Sequence, residues 1–340
     1  MIAPGTGQRY PVGTVLLYCA RMPLWLTEHD VRTVLRMPAV IEAMAHALPA
    51  FSARHVVQPV RTAVEIRDRT FFASMPAYDA AQSILGAKLV TVVPENAARN
   101  MPTHLAAISL FDPATGELIA VMDGRLITEI RTAAVSALSV KHLARRDASV
   151  LAIIGSGVQA RSHIEALKMV ANFAEVRAWS PTRAHLEAFA QETGVRMAVS
   201  AEAAVQGADV IVLATTSVEP VISDEWVKPG AHVIAIGACR PTQREIAPET
   251  VARGRLVVDS RDAAVRESGD IVMGVHEGRF TAGHASIELG DVIAGRSPGR
   301  TSDSQVTVFK SLGLAIEDLA TADVAYRAAL AAGRGLEVSF

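Results

Sequence analysis

Apolar positions along the chain follow two rhythms, and the change between them near position 150 divides it into two parts. Before that point, one amphipathic helical stretch precedes runs at 55–64, 87–93, 105–111 and 118–122, whose apolar residues predict strands. The helix is predicted to begin after Thr27, whose hydroxyl can cap a helix with Asp30 at its third position. Ordered structure is therefore expected from about Met22, with residues 1–21 as a loose extension. Between the last two runs, Asp-Pro-Ala-Thr-Gly at 112–116 predicts a hairpin turn, because Pro fixes φ and Gly accepts φ > 0. This first part reads as α+β.

Beyond 150, short apolar runs at 150–154, 176–179, 210–214, 233–236 and 256–259 alternate with helical segments or loops. Strands that are apolar throughout are buried on both faces, so the expected fold is α/β, a Rossmann-type doubly wound parallel sheet. A last helix is predicted to carry Leu312, Ile316, Ala320, Val324 and Ala328 on one stripe, packed back on the first part. Glu317, Asp318, Asp323 and Arg327 lie off that stripe.

Composition narrows the classes of function. Half of the 340 residues are hydrophobic and a fifth are charged, as in ordinary globular proteins, and the length suits two domains. A net charge of -2, with no basic run longer than Arg145-Arg146, leaves no electrostatic footprint for nucleic acid or anionic membrane. No stretch approaches the roughly twenty apolar residues of a membrane span. The apolar run at 12–20 is short and broken by Gly13 and Tyr18, which argues against a signal peptide. Cys19 and Cys239 match no metal or disulfide spacing, and the ten His show no ligand spacing. A small-molecule partner, no metal and a reducing, cytoplasmic compartment are expected.

The sharpest local signal is Gly155-Ser156-Gly157-Val158-Gln159-Ala160, directly between a strand and a helix. Gly155 permits the tight turn, Gly157 lets backbone amides approach a pyrophosphate, and Ala160 allows close packing of helix on strand. Such a turn predicts a bound dinucleotide. At the end of the next strand, where an acidic residue would select NAD through the ribose 2′-hydroxyl, Ser180 stands instead, followed by Thr182 and Arg183. Hydroxyls and a guanidinium suit a 2′-phosphate, so NADP(H) is expected over NAD(H). Three cations, Arg61, Lys88 and Arg131, interrupt otherwise apolar segments. Burying them without an anionic partner would be costly, which a bound carboxylate explains, although taken singly each is more often a snorkelling surface residue or half of an ion pair.

Read together, these segments are similar to the ornithine cyclodeaminase and mu-crystallin family, and most to its ketimine reductase branch. The matching stretches are 58–62, 75–78, 88–91, 120–124, 131–136, 155–160, 225–232, 237–241, 267–270 and 307–313. The resemblance implies that Arg61, Lys88 and Arg131 hold a substrate carboxylate. It also implies that Thr132, Gly155, Gly157, Val158, Gln159, Ala160, Ser180, Thr182, Arg183, Thr215 and Gly237 line the cofactor site. It further implies a homodimer, and a discontinuous substrate and dimerisation domain, 22–130 plus 306–340, around a dinucleotide-binding domain at 131–305.

One departure selects the branch. Family enzymes that deaminate ornithine or oxidise alanine carry an Asp where this chain has Cys239, and a thiol cannot replace a carboxylate in holding an ammonium group. With no His in its motif, Cys239 reads as a small residue lining the pocket, and no acid or base is assigned. The expectation is hydride transfer from NADPH to the C=N carbon of Δ1-pyrroline-2-carboxylate or Δ1-piperideine-2-carboxylate. The alternatives are an ornithine or lysine cyclodeaminase with bound NAD, and a non-catalytic binder of small ligands.

Overall fold

The computed structural model describes residues 22–339, so the expected extension at 1–21, with Cys19, lies outside the described residues. The first sheet comprises β1 (Leu24–Leu26), β2 (Val56–Val57), β3 (Thr62–Arg67), β4 (Thr70–Asp79), β5 (Ile84–Val92), β6 (His104–Phe111) and β7 (Leu118–Asp123). The second comprises β8 (Val150–Ile154), β9 (Glu175–Trp179), β10 (Arg196–Met197), β11 (Val210–Leu213), β12 (His232–Ala235), β13 (Arg255–Val258), β14 (Ile287–Glu288) and β15 (Thr307–Lys310). A last short strand, β16 (Leu336–Glu337), returns to the edge of the first sheet beside β1.

The second sheet runs β10-β9-β8-β11-β12-β15-β13-β14 with every pairing parallel, and its central strands are buried on both faces. The order reverses between β8 and β11, the switch point at which doubly wound sheets open a crevice beyond their carboxyl ends. This is the expected Rossmann-type fold, with one correction. Thr307–Lys310, assigned from sequence to the other domain, is inserted between β12 and β13, because its four buried residues complete the sheet.

The first sheet runs β16-β1-β7-β6-β5-β4-β2, with β3 also on β4, and is antiparallel except for β1 on β7. The hairpin turn at 112–116 forms as its residues demand: Gly116 has φ +76°, and its N–H donates to Asp112 O at 2.8 Å. Thr27 caps the first helix, Glu28–Val34, in a reciprocal box with Asp30. That helix stops at Leu35, and a second, Met37–Ser52, starts afresh with a proline in its first turn. One expected helix is therefore two.

Two helices join the sheets. The connecting helix Arg125–Leu143 is buried along most of its length and packs against the helix Val158–Lys168 that follows the glycine turn. The C-terminal helix Ala315–Ala332 packs on β4, β5 and β6. It begins later than predicted: Leu312 lies before it and Gly313 breaks it with φ +84°. Its first two turns are buried all round, so Glu317 and Asp318, expected off the buried stripe, are 0% exposed. Among the described residues no single helix is long and apolar enough to cross a membrane.

Candidate active site

The site lies where the carboxyl ends of the second sheet meet the connecting and C-terminal helices. At its cofactor end, Gly155 has φ +120°, and a β-carbon there would come within 2.4 Å of Ala214 O, so only glycine fits. A β-carbon on Gly157 would meet nothing within 4 Å, which leaves open space against the amides that start the 11-residue helix Val158–Lys168. An open, amide-lined cradle of this kind suits a pyrophosphate. Ala160 is fully buried, Val158 is exposed at the helix start, and Gln159 O accepts from His163 Nδ1 at 2.7 Å. Ser156 Oγ donates to Ser180 Oγ at 3.1 Å. Thr182 precedes the next helix, and Arg183, 82% exposed, pairs with Glu187 at 2.7 Å. An exposed pair contributes little, so the guanidinium is easily turned to another anion.

The loops after β11 and β12 are held together by Glu245, to which the sequence reading gave no role. Its Oε1 accepts from Thr215 N and Oγ1 at 2.7 and 2.8 Å, and its Oε2 accepts from Gly237 N and Ala238 N at 2.6 and 3.0 Å. Gly237 has no room for a side chain, since a β-carbon would lie 1.9 Å from Thr215 O. Burial pushes Glu245 up to about 7 against the pull of Lys310. Lys310 itself lies 3.0 Å from Asp270, whose other oxygen accepts from Glu245 N at 2.7 Å. The Cys239 thiol donates to Ile236 O at 3.4 Å, and burial raises its pKa, so the nucleophilic thiolate is disfavoured.

At the other end, the three cations of the sequence reading come together. Lys88 of β5 and Arg131 of the connecting helix share Asp318: Lys88 Nζ pairs with Oδ2, and Arg131 Nε donates to Oδ1 at 2.9 Å. Arg131 Nη1 donates to Glu317 Oε2 at 2.8 Å, and no described residue accepts from its Nη2. Arg61 reaches in from the loop before β3. Its Nη2 donates to Leu312 O and Gly313 O at 2.9 and 3.1 Å, and its Nε lies 3.0 Å from Glu267. The 311–313 turn is folded by Asp259, whose Oδ2 accepts from Ser311 Oγ, Leu312 N and Gly313 N. Gly313 is also required by space, because a β-carbon would fall 2.5 Å from Arg131 Nη2.

Electrostatics follow from this packing. Burial pulls Lys88 down to about 8 although Asp318 opposes it. Burial would raise Asp318, but Arg131 and Lys88 outweigh it and hold the carboxyl below the ordinary range. Burial pushes Glu317 up to about 7, against Arg131 and helped by Asp259. Burial likewise raises Glu267 against Arg61. His104 of β6 is pushed down to about 4 by burial and then by Lys88, so it is neutral near pH 7. A small cavity of about 70 Å³ adjoins the cluster, with Arg61, Glu267 and Gly313 in its wall beside Gln58, Val60 and Met75.

The two ends are tied through the connecting helix. Thr132 Oγ1 donates back to Thr128 O at 2.6 Å, and Ser136, one turn further on, meets His163 Nε2 at 2.9 Å. The His163 contact couples the helix carrying Arg131 to the helix that follows the glycine turn.

The profile of the ornithine cyclodeaminase/mu-crystallin family matches residues 21–333. The mouse (Mus musculus) ketimine reductase mu-crystallin is 44% identical over 313 residues, covering 90% of this chain and 97% of its own. The structure of Thermococcus litoralis Δ1-pyrroline-2-carboxylate reductase in complex with NADH and L-proline superposes with a TM-score of 0.89 at 36% identity, covering 93% of this chain and all of that one. An archaeal alanine dehydrogenase dimer with bound NAD gives a TM-score of 0.88 at 33% identity, over 94% and 99% of the two chains.

Proposed function

The chain belongs to the ornithine cyclodeaminase/mu-crystallin family, and from that premise we propose that it is an NADPH-dependent reductase of cyclic ketimino acids. Its substrates are Δ1-pyrroline-2-carboxylate, reduced to L-proline, and Δ1-piperideine-2-carboxylate, reduced to L-pipecolate. The observation that carries this reading is the gathering of Arg61, Lys88 and Arg131 around residues 312–318, with Arg131 Nη2 left without an acceptor among the described residues. A planar carboxylate is the natural acceptor for such donors. The reductase and mu-crystallin relatives carry ketimine reduction in their names, and the Thermococcus protein binds NADH and L-proline.

When bound, the nicotinamide supplies the hydride that reduces the C=N carbon, while the imine nitrogen carries the balancing proton. The protein's part is orientation. The cationic groups fix the ring through its carboxylate, Glu245 fixes the loops bearing Thr215 and Gly237, and the two anchors determine how the reacting atoms face each other. Cys239 offers neither a carboxylate for an ammonium group nor an accessible thiolate, which favours imine reduction over cyclodeamination.

The reading is tested by following NADPH oxidation with each cyclic imine, beside NADH and beside ornithine with ammonia detection. Turnover preferring NADPH supports it; ammonia release without imine reduction replaces it with cyclodeamination. The coenzyme preference rests on Ser180 and Arg183. Ser180→Asp is expected to reverse it towards NADH, because a carboxylate accepts from the ribose hydroxyls and repels the 2′-phosphate. An unchanged NADPH/NADH ratio of kcat/KM would show that the phosphate is read elsewhere.

We also infer a homodimer through the first sheet. Leu89 and Leu105 lie 43% and 39% exposed on the sheet face turned away from Lys88, and β3 adds Val64 and Ile66 at 57% each. Contiguous apolar exposure of this kind marks an interface. The archaeal alanine dehydrogenase neighbour is a dimer. Light scattering is expected to give twice the 36.0 kDa chain mass; a value of one chain mass would rule the dimer out.

A further inference from the structure

We propose that Glu317 takes up one proton when an anionic substrate binds against Arg131, so that the site balances the incoming charge by protonating its own carboxylate. The inference rests on the carboxylate-binding role given above to Arg61, Lys88 and Arg131, and it follows from the charges packed around them. Three cations face four carboxylates: Asp318, Glu317, Asp259 and Glu267. A substrate carboxylate would be a fifth anion in a region where charge is costly to bury.

Geometry singles out Glu317 among the four. Its Oε2 is shared by Arg131 Nη1 and Leu314 N, at 2.8 and 3.2 Å. Its Oε1 is buried with no hydrogen-bond partner among the described residues, an unused position for a proton in a carboxyl group 0% exposed. Asp318 is held by two cations at once, and Asp259 accepts from four groups, Ser260 N, Ser311 Oγ, Leu312 N and Gly313 N. Asp318 is thereby stabilised as an anion, and both oxygens of Asp259 are already taken up as acceptors. Glu267, with a side chain 19% exposed, retains access to water when Arg61 is drawn elsewhere.

Other neighbours do not replace Glu317 in this role. From the connecting helix come Arg131 and Thr128, from β5 Lys88, from β6 His104, and from the end of β13 Asp259; Arg61 and Glu267 close the side facing the cavity. On the helix Met37–Ser52, Glu42 and His46 are exposed. His104 is already neutral above about pH 4, and Lys88, pulled down to about 8, keeps its charge in most molecules up to about pH 7.5. The raised value of Glu317, about 7, puts its protonation within reach of one added negative charge at neutral pH.

An anion that raises the pKa of Glu317 binds with proton uptake. Affinity is then constant below the free-site value and falls about tenfold per pH unit above it, until the raised value of the complex is passed. The test is calorimetry of pyrrole-2-carboxylate, a planar five-membered ring acid that accepts no hydride, binding to protein saturated with NADP+. At pH 7.5, titrations in phosphate and in Tris should differ in heat by the equivalent of about half to three quarters of a proton taken up per site. Glu317→Gln should bind without that difference, whereas Glu267→Gln should retain it.

Equal heats in the two buffers for the wild type would overturn the proposal while leaving the carboxylate site intact. Uptake lost in Glu267→Gln and kept in Glu317→Gln would overturn it in favour of the neighbour. Failure of the wild type to bind the acid at all would remove the carboxylate site and this inference with it. Should Glu317→Gln not fold, the wild-type pH series decides alone: a flat Kd between pH 6 and 7.5, below the range in which Lys88 loses its charge, rejects the proposal, and a rise of about fourfold supports it.

Discussion

Asp318→Ala is expected to lower the unfolding free energy by about 3–5 kcal/mol, because it leaves two buried cations without their shared anion. Lys88 is 2% exposed and Arg131 5%, so neither can turn to water without opening the packing of the connecting and C-terminal helices. Glu317 remains on Arg131 Nη1, but Lys88 keeps only the 3.4 Å contact to Thr128 Oγ1 and has no anion left. Its ammonium is then expected to shed its proton, and the proposed carboxylate site to lose a charge. Urea unfolding of Asp318→Ala and Asp318→Asn beside the wild type measures this; Asn, which keeps an acceptor of the same shape, should lose less. The effect has a defined pH dependence. Burial opposes the Asp318 anion, yet Arg131 and Lys88 hold its folded-state pKa below the ordinary value. Its stabilisation is therefore present above the unfolded-state value of about 4 and is lost as pH falls through the lower folded-state value. A difference from wild type below 1 kcal/mol at pH 7, or one that grows on acidification, would contradict the account.

What the amino-acid pattern made legible, and what it hid, follows from the range of the interactions. The glycine turn was readable because Gly155 answers a local demand, a positive φ pressed against Ala214 O. The parallel strands were readable because two-sided burial leaves wholly apolar runs. Glu317 and Asp318 were misplaced because a helical stripe assigns charge to the solvent side, and only partners some 190 to 230 positions away make their burial favourable. Adjacent acids amid an apolar helix start, in a chain whose apolar strands carry unexplained cations, were the available signal. Leu312 fitted the helical stripe but lies in a turn that Asp259 and Gly313 impose from outside the helix. Glu245 escaped notice because its role is to accept four backbone and hydroxyl donors from two loops, and spacing along the chain carries no trace of that. The break at Leu35, by contrast, was local, since Pro38 sits in the first turn of the new helix.

Arg131→Ala is expected to reduce kcat/KM for the cyclic imine by about 10²- to 10⁴-fold. Nε and Nη1 are engaged by Asp318 and Glu317, so the substrate contact falls to the two N–H groups of Nη2; charge-assisted bonds of about 1.5–3 kcal/mol each from these sum to that range. Loss of ground-state holding raises KM, and loss of the ring's orientation lowers kcat, so both should move. Cofactor binding should not, because Arg131 lies at the opposite end of the site from the Gly155–Ala160 turn and reaches it only through helix packing. Arg131→Lys distinguishes charge from shape. A lysine restores one positive charge but cannot reach Asp318 through Nε, Glu317 through Nη1 and a substrate through Nη2 together, as the planar fork does. It should therefore recover stability more than activity. NADPH oxidation with Δ1-pyrroline-2-carboxylate, read beside coenzyme fluorescence titration and urea unfolding for both variants, separates the three effects. Activity within tenfold of wild type in Arg131→Ala would mean that the carboxylate is held elsewhere and that Arg131 serves only to pair Asp318 and Glu317.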